Sequence, residues 1–310
     1  MAAIFLTMRR KIRGNLFFVL LILVGVPTIF AQTHVPEKSG SSASAGNNFS
    51  AKGKSAAAAD RSPTASGEKS RYPISKRELQ NALLEIDQLL HREGAWLEAK
   101  ARYATLLQQD LLPEDRKMIQ GALETLNMKI LFSPILTPDS FSYTVQPGDS
   151  LFDIAKKFHT TAEFIQKSNR LTRDLIRPGM KLKIIKTKFG IVVSKSENKL
   201  SLFADKELVK IYPVATGKND STPIGTFTIE NKLINPVWYK TGAVLPPGSP
   251  DNILGTRWLG FSLQGYGIHG TTLPETIGKH ASEGCIRMYN QDVEELYTIV
   301  PIKTTVTVVD

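Results

Sequence analysis

The sequence predicts three folded regions, of which the first is helical, the second is a small α+β module and the third is mainly β. Apolar side chains recur at helical spacing in residues 72–130. Two Pro-Gly turns punctuate residues 142–186, where the pattern reads strand, helix, helix and strand (βααβ). From 189 to 309, short runs of β-branched and aromatic residues indicate an antiparallel sandwich or a barrel-like domain with one helix near 290–297.

The residues before these regions have the composition of an export segment and a tether. Basic residues at positions 9–13 precede the apolar stretch 16–31. This order is typical of a secretory signal peptide, and an uncleaved membrane anchor is the alternative, although the stretch is short for one. Residues 32–71 are mainly Ser, Ala, Gly and Lys, which predicts a disordered linker. We therefore expect export to the periplasm or cell envelope, with membrane contact only through an uncleaved segment 1–31.

Charge and cysteine content agree with that compartment. The formal net charge is +10, which suits an anionic wall polymer as the partner. Nucleic acid is the competing partner, but the sequence has no nucleic-acid-binding motif. Cys285 is the only cysteine, so no disulfide can form within the chain. In an oxidising compartment such a cysteine is either a buried apolar residue or a thiol kept for its reactivity.

The helical region, residues 72–130, predicts three helices. Ser75 and Glu78 have the spacing of a capping box that opens the first helix, Gly94 breaks it, and Pro113 opens the third. The Ala-rich packing of the first two helices resembles a single tetratricopeptide-like hairpin. One such unit is small for a repeat protein, so we interpret this region as a spacer or docking module.

Residues 142–186 resemble a LysM module, from the opening YTVQPGDSL at 143–151 to the closing RPGMKLKI at 177–184. The resemblance implies that the module binds N-acetylglucosamine-containing glycans such as peptidoglycan, in a groove between loops. The positions that match this groove are Gly148, Asp149, Ser150, Leu151, Asn169 and Leu171. Two of them have an ordinary alternative, since Asp149 can cap the following helix and Leu151 can belong to the core.

The residues around Cys285 can make its thiol reactive. A thiol attacks carbonyls as its thiolate and needs a base nearby, for which His269, sixteen residues earlier, is the candidate. Gly284 lets backbone N–H groups approach a reacting carbonyl and stabilise its oxyanion. Arg287 projects from the same face as Cys285 in an extended segment, where it clamps a substrate carboxylate or forms a structural salt bridge. Ser282 is interpreted as a turn-shaping residue.

His269-Gly270 and the run SEGCIRM at 282–288 resemble the signature of the L,D-transpeptidase (YkuD-type) catalytic domain, over residues 189–309. The resemblance implies that Cys285 attacks the carbonyl of the third residue of a peptidoglycan tetrapeptide stem and that D-alanine leaves. The amine of a neighbouring stem then resolves the thioester and forms a 3→3 cross-link. By the same resemblance His269 is the base, the Gly270 carbonyl orients its ring, and the N–H groups of Gly284 and Cys285 form the oxyanion hole. No metal or organic cofactor is implied.

Glu283 departs from this resemblance, because many family members carry a histidine at its position. An acid beside the nucleophile disfavours the thiolate and leaves the choice of acceptor amine open. Two other functions remain as alternatives: an L,D-carboxypeptidase and a catalytically silent peptidoglycan-binding protein. His280 is interpreted as a loop residue, and Trp258 as a core aromatic residue.

Overall fold

The computed structural model describes residues 74–240 and 242–310. The predicted signal segment, residues 1–31, and the predicted linker, residues 32–71, lie outside the described residues. None of the helices within residues 74–240 and 242–310 is both long enough and apolar enough to cross a bilayer.

Three helices form the first region: α1 (Lys76–Leu90), α2 (Trp96–Leu107) and α3 (Pro113–Leu131). The predicted capping box opens α1, since Ser75 Oγ accepts from the Glu78 N–H and the Glu78 carboxylate accepts from the Ser75 N–H. A 3-10 turn at Glu93–Ala95 separates α1 from α2. The helices share one apolar cluster, which includes Leu79, Ile86, Trp96, Tyr103, Ile119 and Leu126. The likeness to a tetratricopeptide hairpin stays a prediction.

The second region has the predicted βααβ order. Strand β1 (Ser140–Thr144) pairs antiparallel with β2 (Lys181–Ile185), and α4 (Leu151–Lys157) and α5 (Ala162–Ser168) lie between them in the chain. Both Pro-Gly turns use positive φ at glycine, 88° at Gly148 and 86° at Gly179, which side chains disfavour. The core contains Val145, Leu151, Ile154, Ile165, Leu182 and Ile184.

An eight-stranded sheet dominates the third region, and α6 (Asn290–Ile299) packs on it. In spatial order the strands are β13 (Ile286–Arg287), β11 (Gly267–His269), β10 (Arg257–Phe261), β7 (Gly225–Ile234), β14 (Thr305–Val309), β3 (Phe189–Ser194), β4 (Lys199–Ala204) and β5 (Glu207–Pro213). Two short pairs complete it: β6 (Thr216–Gly217) with β12 (His280–Ser282), and β8 (Trp238–Lys240) with β9 (Ala243–Leu245).

The mainly-β prediction is confirmed, but the expectation of antiparallel strands throughout is wrong. Strand β14 runs parallel to β3, and β11 runs parallel to β13. The sheet also curls along β7, which pairs with β14 through 225–228 and with β10 through 229–234. Parallel neighbours are joined by long connections, so these pairings leave no local signal in the sequence.

The second region packs directly against its neighbours. Phe164 of α5 is 1% exposed, and its ring lies edge-on to Phe132, 5.9 Å away, and to Phe189 at the start of β3, 5.7 Å away. Thr161 Oγ1 donates to the Thr298 carbonyl of α6. The βααβ module is therefore held against the large sheet by buried contacts.

Candidate active site

The parallel pairing of β11 and β13 brings the predicted catalytic residues onto one face of the sheet. The register places His269 opposite Arg287 and Ile268 opposite Ile286, so Cys285 lies opposite Gly267. Residues two apart in a strand project from the same face. The side chains of Cys285, His269 and Arg287 therefore share one face, at the edge of the sheet.

His269 is held as a neutral imidazole. Its side chain is buried, and Nδ1 lies 2.6 Å from the Gly270 carbonyl oxygen. Because a carbonyl only accepts, Nδ1 carries the proton, and Nε2 is left with a free lone pair. The Trp258 ring stacks on the imidazole, with centroids 5.8 Å apart. Burial lowers the pKa of His269 to about 4, and the Arg287 charge also lowers it, whereas hydrogen bonds to the Gly270 and Leu254 backbone raise it.

The Cys285 thiol is protonated at rest. Burial raises its pKa and the Glu283 charge raises it further, whereas a backbone hydrogen bond from Gly267 and the Arg287 charge lower it. Its Sγ lies 3.5 Å from the Gly265 carbonyl. A neutral thiol and a neutral imidazole are the forms required for proton transfer from sulfur to nitrogen during attack.

Ser282 holds the turn that carries Cys285. Its Oγ donates to the Cys285 carbonyl at 2.5 Å and accepts from the Gly284 N–H at 3.1 Å, in agreement with the turn-shaping interpretation. The Gly284 N–H, predicted for the oxyanion hole, is therefore occupied, whereas the Cys285 N–H has no acceptor among the described residues. At Gly284 φ is +129°, and a Cβ would lie 2.8 Å from a Tyr266 ring carbon, so glycine is required.

Arg287 is a buried cation without an acidic partner. It is 6% exposed, its Nε has no hydrogen-bond partner, and none of the ion pairs within 74–240 and 242–310 includes it. Burial lowers its pKa, whereas the charges of Cys285, Glu283 and Glu275 raise it. An unpaired buried charge is costly. The geometry therefore favours the substrate-carboxylate clamp over the structural salt bridge.

Two of the predicted glycan contacts shape the start of α4. Asp149 does not cap the helix, because its carboxylate accepts from the Gln146 N–H at 2.7 Å and the Tyr143 hydroxyl at 2.8 Å. The Gln146 hydrogen bond is the main cause of the lowered pKa of Asp149, with the Tyr143 bond second. Ser150 is the cap, since its Oγ accepts from the Asp153 N–H.

The remaining positions of the predicted glycan groove divide between core and surface. Leu151 is 4% exposed and belongs to the module core, which matches its structural alternative. Asn169 joins α5 to β2, accepting from the Lys183 N–H at 2.6 Å and donating to the Lys183 carbonyl at 3.0 Å. Gly148 is exposed and Leu171 half-buried, so the glycan-binding prediction is strongest at these two.

Sequence reasoning misses an aromatic residue of the site, since Trp258, interpreted as a core residue, stacks on the His269 ring. The loop interpretation of His280 is wrong, because His280 lies in β12 with Nδ1 2.8 Å from Thr216 Oγ1. Gly267 affects the pKa of Cys285, and Leu254 affects the pKa of His269, each through a backbone hydrogen bond. Only strand register reveals these neighbours, and no sequence motif marks them.

Comparison with known proteins shows the family. Residues 188–308 match the L,D-transpeptidase catalytic domain, YkuD, and residues 143–184 match the LysM domain. A Bacillus licheniformis protein named as L,D-transpeptidase YkuD is 39% identical over 175 residues, covering 54% of this chain and 97% of the relative. A Bacillus subtilis protein named as L,D-transpeptidase YqjB is 43% identical over 126 residues, covering 39% of this chain and 70% of the relative.

Among solved structures, the catalytic domain from the E. faecium L,D-transpeptidase is 23% identical and has a TM-score of 0.34; the match covers 40% of this chain and 98% of that one. By the sequence relatives, the chain belongs to the L,D-transpeptidase family, with a LysM domain before its catalytic domain. These two domains indicate a cell-wall-associated protein whose ligand and substrate are peptidoglycan.

Proposed function

We propose that this protein is an exported peptidoglycan L,D-transpeptidase that forms 3→3 cross-links through a thioester on Cys285. The proposal is carried by one observation: the face of β11 and β13 holds a thiol, a neutral imidazole and an unpaired guanidinium. In this proposal the LysM domain binds the glycan while the catalytic domain acts on the stem peptide.

Acylation begins when Cys285 Sγ bonds to the carbonyl carbon of the third stem residue, while the thiol proton passes to His269 Nε2. The free Cys285 N–H is a donor for the resulting oxyanion. When the tetrahedral intermediate collapses, the bond to D-alanine breaks, and its amine takes the proton from His269. The products of this step are a thioester and free D-alanine.

Deacylation uses the same base. The neutral amine of a neighbouring stem's diamino acid attacks the thioester carbonyl and gives a proton to His269. The carbon–sulfur bond then breaks, and sulfur regains its proton as an amide joins the two stems. Arg287 faces this reaction as a buried, unpaired cation and binds a substrate carboxylate.

Variants of the nucleophile and base test the proposal. Incubated with disaccharide-tetrapeptide, the wild-type protein should release D-alanine and form 3→3 dimer, as measured by mass spectrometry. Cys285→Ala and His269→Ala should form none, because each removes one partner of the proton transfer. Both should still bind sacculi. His91→Ala, at an exposed histidine, should keep wild-type activity.

The other outcomes identify the alternatives. Dimer formation by Cys285→Ala excludes that residue as the nucleophile. Tripeptide as the only wild-type product means that water resolves the thioester, and the protein is then an L,D-carboxypeptidase. Sacculus binding without any wild-type product makes it a silent peptidoglycan-binding protein.

A further inference from the structure

The side-chain amide of Asn290 bridges two loops beside His269. Asn290 is the first residue of α6 and is half-buried. Its Oδ1 accepts from the Thr256 N–H at 3.2 Å and from the Thr271 N–H at 3.1 Å. Its Nδ2 donates to the Thr271 carbonyl at 3.0 Å. Because one end of the amide meets donors and the other an acceptor, its orientation is fixed.

One of these contacts acts on the peptide unit that orients the catalytic histidine. The Gly270 carbonyl, which accepts from His269 Nδ1, and the Thr271 N–H, which Asn290 binds, belong to the same peptide unit. A peptide unit is planar and moves as one body. By holding the N–H end, Asn290 therefore sets the direction in which the carbonyl end points.

Two glycines leave room for this amide. A Cβ on Gly255 would lie 2.2 Å from Asn290 Oδ1, and a Cβ on Gly270 would lie 2.1 Å from the same atom. Gly255 also has φ at +64°, which is unfavourable for most side chains. Two separate segments thus converge tightly on Asn290, and any side chain at either glycine would displace it.

We propose that Asn290 is a positioning residue, which fixes the Gly270–Thr271 peptide so that its carbonyl keeps the proton of His269 on Nδ1. The base nitrogen Nε2 is then always available to the Cys285 thiol. Asn290 acts through the backbone. The base role of His269 rests on the proposed function, but the position of its proton can be measured without any activity.

The primary test is NMR of ¹⁵N-histidine-labelled protein, with His269→Ala used to assign the signal. We expect the Nδ1–H tautomer in the wild type and a mixture of both tautomers in Asn290→Ala. In the proposed reaction, kcat should fall by about 100-fold, because misplaced catalytic groups cost rates of this order. KM should change by less than about threefold, since Asn290 does not bind substrate in this proposal.

Two further variants separate positioning from folding. Gln291→Ala, at the adjacent exposed residue, should match the wild type in tautomer and rate. Asn290→Ser keeps a polar side chain at the first position of α6 but is too short to bridge both loops, and it should behave like Asn290→Ala. It replaces Asn290→Ala if that variant does not fold.

The tautomer of His269 in the Asn290 variants decides whether the positioning proposal holds. An unchanged Nδ1–H tautomer in a folded Asn290 variant overturns the proposal, whatever happens to its rate. Should the wild type form no cross-linked product, the proposed function fails, whereas the tautomer measurement still tests the role of Asn290.

Discussion

The charge environment of the Cys285 thiol is set by two side chains of opposite sign. After burial, which is the largest cause of its raised pKa, Arg287 lowers this pKa and Glu283 raises it. Arg287 is buried and Glu283 exposed. Because water and salt screen an exposed charge, the influence of Glu283 should be modest and should depend on ionic strength.

Replacing Glu283 should therefore make the thiol more reactive. In Glu283→Gln we expect iodoacetamide to alkylate Cys285 about two- to fivefold faster at pH 7 and low salt, because the thiolate fraction increases. Glu275→Gln is the control: Glu275 is exposed and its charge acts on Arg287, but it is not among the influences on the thiol. Equal rates for Glu283→Gln and the wild type, or a difference that persists in 1 M salt, would contradict this account.

At the scale of residues, the sequence predicts those functional residues that lie within short sequence motifs. Cys285, His269 and Arg287 lie in short motifs, and sheet register brings them onto one face. Trp258 and Asn290 reach the site from segments whose adjacency depends on long-range pairing, so no motif could indicate them. The sequence predicts that Ser282 shapes the turn, but not that its Oγ takes the Gly284 N–H, because the direction of a backbone donor depends on φ and ψ rather than on residue type.

At the scale of elements, prediction succeeded where strands pair with their neighbours in sequence. The strands β3, β4 and β5 form consecutive antiparallel pairs, and their apolar patterns are long enough to detect. By contrast β11, β12 and β13 have only two or three residues each, too few for any periodicity. The elements that carry the active site are thus those that the pattern could not show.

The ammonium groups of two lysines, Lys183 and Lys232, lie at the carboxyl ends of the helices α3 and α6. Lys183 Nζ donates to the carbonyls of Ile130 and Ser133, both at 2.9 Å, just where α3 ends. Lys232 Nζ donates to the Tyr297 carbonyl at 2.6 Å and to the carbonyl of Val300, just after the end of α6, at 2.8 Å. Cations are favourable at this end of a helix, but burial lowers the pKa of both lysines to about 8.

The contribution of these two lysines to stability should consequently rise with pH above 8. Each folded-state pKa lies below the ordinary lysine pKa of 10.5, so between these values the unfolded chain binds more protons than the folded one. The free energy of unfolding then increases by at most about 1.4 kcal/mol per pH unit for each lysine. Urea unfolding between pH 7.5 and 10 should show this rise, reduced in Lys183→Met. A slope that is the same in both proteins would exclude Lys183 as its source.

At the scale of the whole molecule, the folded regions are packed together. Phe164 joins the βααβ module to the core of the large sheet, where its ring packs edge-on to Phe132 and to Phe189. Asn127 of α3 donates to the Val209 carbonyl of β5 at 3.2 Å. The sequence predicts the three regions separately, because each has its own periodicity. It does not predict how the regions pack together. The apolar pattern of α5 is the same whether Phe164 packs in the core of its own module or against a neighbouring region.

This packing should make the module and the catalytic domain unfold together. Phe164→Ala removes a fully buried aromatic ring at the junction, which costs about 3–5 kcal/mol, and should divide one calorimetric transition into two. Phe158→Ala is the control, because Phe158 packs within the module against Phe141 and Tyr143. It should lower the Tm while the van't Hoff and calorimetric enthalpies stay equal. Equal enthalpies in Phe164→Ala would mean that other contacts, such as that of Thr161 with Thr298, suffice to couple the two domains.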